Sequence, residues 1–132
     1  MLTLEYLAEL HEKNRSAAAA NVKEFSIGSL SFHSNSRSSI MGVINLSSDS
    51  WYRESVCLSA ESAIQRGRVL HAQGAHIIDV GAESTLAHAS RAGAELQTSK
   101  LLPVVKELRA SGILVSVETY NPHVTRACLE AG

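Results

Sequence analysis

Three short polar segments, each directly after a run of apolar residues, hold the side chains with the most chemistry to offer. They are Asn45-Leu46-Ser47-Ser48-Asp49-Ser50, Asp79-Val80-Gly81-Ala82-Glu83-Ser84-Thr85, and Glu118-Thr119-Tyr120-Asn121. In the first, every residue except Leu46 bears a side-chain oxygen. Such a loop suits an anion or a hard cation, since Mg²⁺ prefers oxygen ligands and keeps waters while bridging to a phosphate. The competing reading is an Asx- and Ser-rich turn that satisfies its own backbone, and on spacing alone it is the commoner one. In the second segment two carboxylates and two hydroxyls crowd one strand end. Alternation sends Asp79 and Gly81 to the same face, and a buried Asp there must be hydrogen-bonded. Tying loops together through backbone N–H groups and binding a ligand are level as readings of Asp79. Glu118 closes a run of Ile, Leu and Val, so an inward carboxylate needs donors, and a fused amide, amidine or guanidine edge supplies two.

The surrounding pattern says which elements must hold these segments. Residues 3–20 read as a helix with Thr3 at its N-cap and Leu4, Leu7 and His11 on one face. Residues 24–33 alternate apolar and polar around Gly28-Ser29, a pair suited to a type II′ hairpin turn. Ile40 to Ile44 is a short apolar run of the kind expected for a strand buried on both faces. Ser59 can cap a helix with Ala63, Ile64, Gly67 and Leu70 inward, ended by Gly74. A strand over residues 76–81 follows, then a helix over about 95–110 with Leu101, Leu102, Val105 and Leu108 inward, where Pro103 predicts a kink or a later start. Gly112 stops that helix, residues 113–118 form a third strand, and Asn121 caps a last helix with Pro122 at its first position. Strand and helix alternating at this spacing predict an α/β fold with a parallel sheet. Ligands in such folds bind beyond the carboxyl ends of the strands, where all three polar segments fall.

Composition narrows the function classes. The chain has 132 residues, 12 Lys+Arg against 13 Asp+Glu and a formal net charge of −1, with 45% hydrophobic and 19% charged residues. That describes one ordinary globular domain rather than a disordered chain. No basic cluster offers a footprint for nucleic acid. Glu5 stands where a secretory signal would carry base, and no apolar run approaches the ~18 residues of a membrane span, so the expectation is a cytoplasmic protein without a membrane partner. Cys57 and Cys128 lie far apart and outside any Cys-x-x-Cys pair, which indicates neither a disulfide framework nor a zinc site. They read as small buried hydrophobes, with a reactive Cys57 near Arg53 as the lesser alternative. The six histidines lack metal-ligand spacing.

Taken together, the segments resemble the dihydropteroate synthases, folate-pathway members of the pterin-binding barrel superfamily, over about residues 24–132. Met41-Gly42-Val43-Ile44-Asn45-Leu46-Ser47-Ser48-Asp49-Ser50-Trp51 is similar to the family's first-strand signature, Ile77-Ile78-Asp79-Val80-Gly81-Ala82-Glu83-Ser84-Thr85 to its second, and Val115-Ser116-Val117-Glu118-Thr119-Tyr120 to its third. Three motifs in order, each after an expected strand, form a specific signal. The resemblance implies a TIM-type (β/α) barrel that condenses a dihydropterin pyrophosphate with 4-aminobenzoate, releasing pyrophosphate with Mg²⁺ assisting. By motif position Asn45 would serve the metal and the pyrophosphate, Thr85 would bind on the phosphate side, and Glu118 would face the pterin ring. Asp79 and Ser84 would support the site.

The chain departs from the family pattern at several points. The usual Pro of the first loop is Ser48, the usual Gly-Gly after it is replaced around Arg53-Glu54-Ser55, the usual Arg after the second motif is Leu86, and the usual Asp of the third strand is Glu118. Barrels of this type run to ~250 residues. The expectation is therefore an amino-terminal helical extension over residues 1–22 and the amino-terminal half of a barrel over 23–132, with three parallel strands behind a helix and a hairpin. Turnover would need the missing strands or self-association. A pterin-binding methyltransferase-type domain and a non-catalytic remnant or interaction module are the alternatives.

Overall fold

A computed structural model describes residues 2–50, 52–84 and 91–132. The chain divides into two compact units, Met1–Ser38 and Ser39–Gly132.

In the first unit, α1 (Leu4–Lys13) starts as the sequence leads one to expect, with the Thr3 hydroxyl accepting from the Tyr6 N–H. The single helix expected over 3–20 is instead interrupted. Asn14 leaves helical geometry and turns its side-chain amide back onto the Leu10 carbonyl at 2.8 Å, and a short α2 (Arg15–Ala18) follows. Asn competes for the backbone in this way, and no residue of α1 is buried to hold the helix straight. Strands β1 (Phe25–Ile27) and β2 (Leu30–Phe32) pair antiparallel with Ile27 opposite Leu30. Gly28 takes φ +58° while Ser29 stays at negative φ, as a type II′ turn requires. The Phe25 and Phe32 rings stack at 4.8 Å. Asn35 joins this hairpin to Val22, accepting from its N–H at 2.9 Å and donating to its carbonyl at 2.7 Å.

The second unit is a three-stranded parallel sheet in the order β3 (Met41–Asn45), β4 (Ile77–Gly81), β5 (Val115–Glu118). The connections are α3 (Ala60–Ala72) and α4 (Ala94–Ala110), and α5 (Pro122–Glu130) follows β5. The caps are local and act as expected. Ser59 and Ser62 form a reciprocal capping box, Asn121 accepts from the His123 N–H at 2.9 Å, and Gly74 and Gly112 lie past the helix ends at positive φ. Pro103 does not delay α4, which runs unbroken from Ala94.

Register settles which face each strand residue takes. Gly42, Ile78 and Val115 lie side by side, as do Ile44, Val80 and Val117, and these rows pack on the helices. With Leu101, Val104, Leu108, Ala63, Val124 and Cys128 they form the core. Each fully buried Leu or Ile there contributes about 1.5–3 kcal/mol. Leu102, expected inward, is only partly buried, while Gln97 and Val104 are buried in its place.

The opposite face differs from expectation. Met41 and Val43 are exposed, so β3 is not buried on both sides. Exposed Met41 and Val43 alternate along β3 with buried Gly42 and Ile44, and Asn45 at its end is half-buried. The unit is the first part of a (β/α) barrel, seen with its interior side open.

Candidate functional site

The interior face carries two rows of interest at its carboxyl end. Val43, Asp79 and Ser116 form one row, and Asn45, Gly81 and Glu118 the next. All of these except Ser116 line a cavity of about 260 Å³, lined on the loop side by Ser50, Tyr52, Glu83 and Ser84. Asn45, Asp79, Ser84 and Glu118 therefore meet at one place, as their motif positions imply. Thr85 and Leu86 lie outside the described residues, as does Trp51.

Asn45 is oriented by a residue that no motif or spacing singles out. Its amide nitrogen donates to the Ser55 hydroxyl at 2.6 Å, and Ser55, fully buried, donates to the Tyr52 carbonyl at 2.6 Å. With the amide nitrogen engaged, Asn45 Oδ1 faces Gly81. A Cβ on Gly81 would stand 3.7 Å from Asn45 Oδ1 and 3.5 Å from Glu118 Oε2, so this glycine leaves open the space over which the two oxygens converge. Backbone contacts fix the strand end, with Leu46 N–H donating to the Gly81 carbonyl at 2.7 Å and Cys57 N–H to the Asn45 carbonyl at 2.8 Å.

Three carboxylates surround that space in different states. Asp79 accepts a hydrogen bond from the Ser116 hydroxyl. Glu83 is buried and accepts from the Ala92 N–H at 3.0 Å, and its other oxygen lies 3.8 Å from the Arg91 guanidinium. Among the described residues Glu118 has no such fixed donor. Burial, then the charges of Asp79 and Glu83, push its carboxyl above the usual glutamate range, and Arg91 only partly offsets them. A ligand that brought two N–H donors to Glu118 would favour its charged form.

A hydrogen-bonded web behind Glu118 joins elements distant in sequence. Buried Gln97 of α4 donates to the Ala92 carbonyl at 2.8 Å and accepts from the Thr119 hydroxyl at 2.8 Å, and Thr119 accepts from the Asn121 N–H at 3.1 Å. Ser84 Oγ donates to the Asp49 carbonyl at 3.5 Å, linking the segments after β3 and β4. Glu83 and Gln97 are not among the expected site residues. Polarity inside an apolar helix face is the available signal for Gln97.

Asn45 Oδ1 and the nearby carboxylates are hard oxygen donors of the kind Mg²⁺ takes. Among the described residues no three His, Cys, Asp or Glu side chains gather into a cage. Mg²⁺ keeps several waters and takes one or two carboxylates plus phosphate oxygens, a donor set that the oxygens around this cavity can supply. Cys57 is no nucleophile candidate, since burial pushes its thiol up despite nearby Arg66, and Cys128 is likewise raised by burial. Two histidines are engaged structurally, His76 Nδ1 accepting from the Ile40 N–H and His71 Nδ1 lying 3.0 Å from the Ala75 carbonyl.

The model of a family described as pterin binding enzymes matches residues 41–132, the whole of the sheet and its helices. The chain belongs to that family. It is 41% identical over 93 residues to the dihydropteroate synthase of Mycobacterium leprae, an alignment covering 70% of this chain and 33% of the relative. It also resembles solved structures. One is a Yersinia pestis dihydropteroate synthase in a sulfonamide drug complex, with TM-score 0.75, 26% identity, and coverage of 83% of this chain and 40% of that one. Another is the Xanthomonas albilineans enzyme with 4-aminobenzoic acid, with TM-score 0.64, 33% identity, and coverage of 74% and 36%. The chain thus spans about a third of the length of the relatives it matches. Among its described residues no helix is long and apolar enough to cross a membrane.

Proposed function

We propose that residues 39–132 form the amino-terminal part of a dihydropteroate synthase site, which joins a dihydropterin pyrophosphate to 4-aminobenzoate and releases pyrophosphate. The observation that carries this reading is the convergence of Asn45 Oδ1 and Glu118 Oε2 over Gly81, at the carboxyl ends of adjacent parallel strands. Among the described residues Glu118 is a carboxylate without a fixed donor, and the amide and guanidine edge of a pterin supplies two. Asp79, held by Ser116, and Ser84, tied to Asp49, keep the surrounding strand ends in place. In the reaction the arylamine nitrogen attacks the pterin's methylene carbon as the carbon–oxygen bond to pyrophosphate breaks. Asn45 and Thr85 are assigned to the phosphate side, where negative charge grows. Bound at Asn45, Mg²⁺ would help neutralise that charge. The reading includes a cytoplasmic setting and no nucleic-acid partner.

The chain supplies three of the strand ends from which the site would be built, so the remaining strands, or association with another chain, are part of the proposal. Calorimetric titration of the chain with a pterin and with pyrophosphate tests it. Binding of both ligands is expected for a synthase site. Binding of the pterin alone would point to the methyltransferase-type domain, and binding of neither to a non-catalytic module.

A further inference from the structure

A second cavity, of about 340 Å³, opens between the segment after β3 and the early turns of α4. Ser47, Ser48 and Asp49 form one wall, Ala82 to Ser84 another, and Lys100 a third, and it meets the Asn45–Glu118 cavity only at Glu83 and Ser84. Lys100 Nζ reaches across from α4 and donates to the Leu46 carbonyl at 3.0 Å. An ammonium group has three N–H donors, and among the described residues no carboxylate lies within ion-pair distance of this one. Ser47 is only 7% exposed, yet among the described residues its hydroxyl has no hydrogen-bond partner. A serine hydroxyl can swing between staggered positions, so this donor can be delivered into the cavity it lines. Glu83, the buried carboxylate in the wall, is already turned to Ala92 and Arg91, and Asp49 is exposed. The cavity thus holds donors in want of an acceptor.

We propose that this cleft is an oxyanion site which holds a phosphate group between the Lys100 ammonium and the Ser47 hydroxyl. It is separate from the Asn45–Glu118 cavity and goes beyond the pterin reading. A phosphate presents acceptor oxygens on every side, so one oxygen can take the lysine and another the serine, and charge assistance makes the lysine contact the stronger. Free phosphate and the phosphoryl end of a diphosphate share this chemistry.

The test is ³¹P NMR titration of the 132-residue chain with inorganic phosphate and, separately, with pyrophosphate. Saturable binding of at least the first is expected. Lys100→Met, which keeps the apolar stem, should weaken it roughly tenfold or more, and Ser47→Ala about threefold. Lys100→Arg should retain binding. Arg68→Met, on the exposed side of α3, removes the same charge and should leave affinity unchanged. Absence of inorganic-phosphate binding overturns the proposal, as does an inorganic-phosphate affinity unchanged in both Lys100→Met and Ser47→Ala. An equal loss in Arg68→Met would reduce the effect to net charge and also overturn it. Circular dichroism on each variant separates lost binding from lost folding, and Ser47→Ala gives a mild second probe should Lys100→Met unfold. Pterin affinity measured on the same samples keeps this failure distinct from failure of the synthase reading.

Discussion

Glu118 stands at a strand end that is partly shielded from water and flanked by two other carboxylates, which together raise its proton affinity in the folded chain. The folded state therefore holds this proton more tightly than the unfolded state does. Stability then falls as pH rises through and above the ordinary glutamate range, and the penalty is absent below that range. Glu118→Gln should accordingly raise the thermal midpoint at neutral pH, and the gain should vanish as pH is lowered through the ordinary glutamate range. Melting curves over a pH series measure this, and a gain that persisted at low pH would mean that packing rather than charge is responsible. The same substitution should weaken pterin binding roughly tenfold, because Gln replaces an acceptor-only carboxylate with a group that is half donor. Stability and binding are expected to move in opposite directions, as befits a site residue.

At the scale of elements, the helices hold the strand ends through a few contacts between residues far apart in sequence. Gln97 connects α4 to residue 92 on one side and to Thr119, directly after Glu118, on the other. Gln97→Leu keeps the volume but strands the Ala92 carbonyl and frees Thr119. The expected cost is about 1–3 kcal/mol in urea denaturation, with faster hydrogen exchange at the Asn121 amide. Packing of α3 on α4 depends on Gly67, where a Cβ would lie 2.8 Å from Cδ2 of the fully buried Leu108, which would have to shift. Gly67→Val should cost about 1–3 kcal/mol by the same denaturation measurement, while Gly67→Ala should cost less because its helix propensity offsets part of the clash.

For the molecule as a whole, the open interior face and the two sheet edges set the expectation for activity. The chain matches about a third of its relatives' length, and each missing electrostatic donor can cost ~10² to 10³ in rate. Residues 1–132 alone should show only background formation of dihydropteroate in a coupled assay. Mixing with a chain that carries the remaining strands should raise it. Robust turnover by residues 1–132 alone would overturn the assignment of the site. The edge at β5 offers unpaired backbone groups, which makes it the natural place for such strands to add.

Features that depend on neighbouring residues are legible in the sequence alone. Thr3, Ser59 and Asn121 cap their helices, Gly28 makes the hairpin turn, and alternation within β4 puts Asp79 and Gly81 on one face. Each of these involves positions a few residues apart, so spacing and side-chain chemistry determine them. The break at Asn14 is not legible in that way, because only the absence of a buried face lets its side chain win over the helix. Nor are the Ser55 hydroxyl that orients Asn45, the Gln97 web, or the Lys100–Ser47 cleft. These arise where the chain folds back on itself: Ser55 meets Asn45 across 10 positions, Lys100 meets Leu46 across 54, and Gln97 meets Thr119 across 22. Sequence by itself determined the elements and the residues at the strand ends, while tertiary packing decided which polar atoms are satisfied there and which are left for a ligand, since buried hydrogen bonds are fixed only once distant segments share one space.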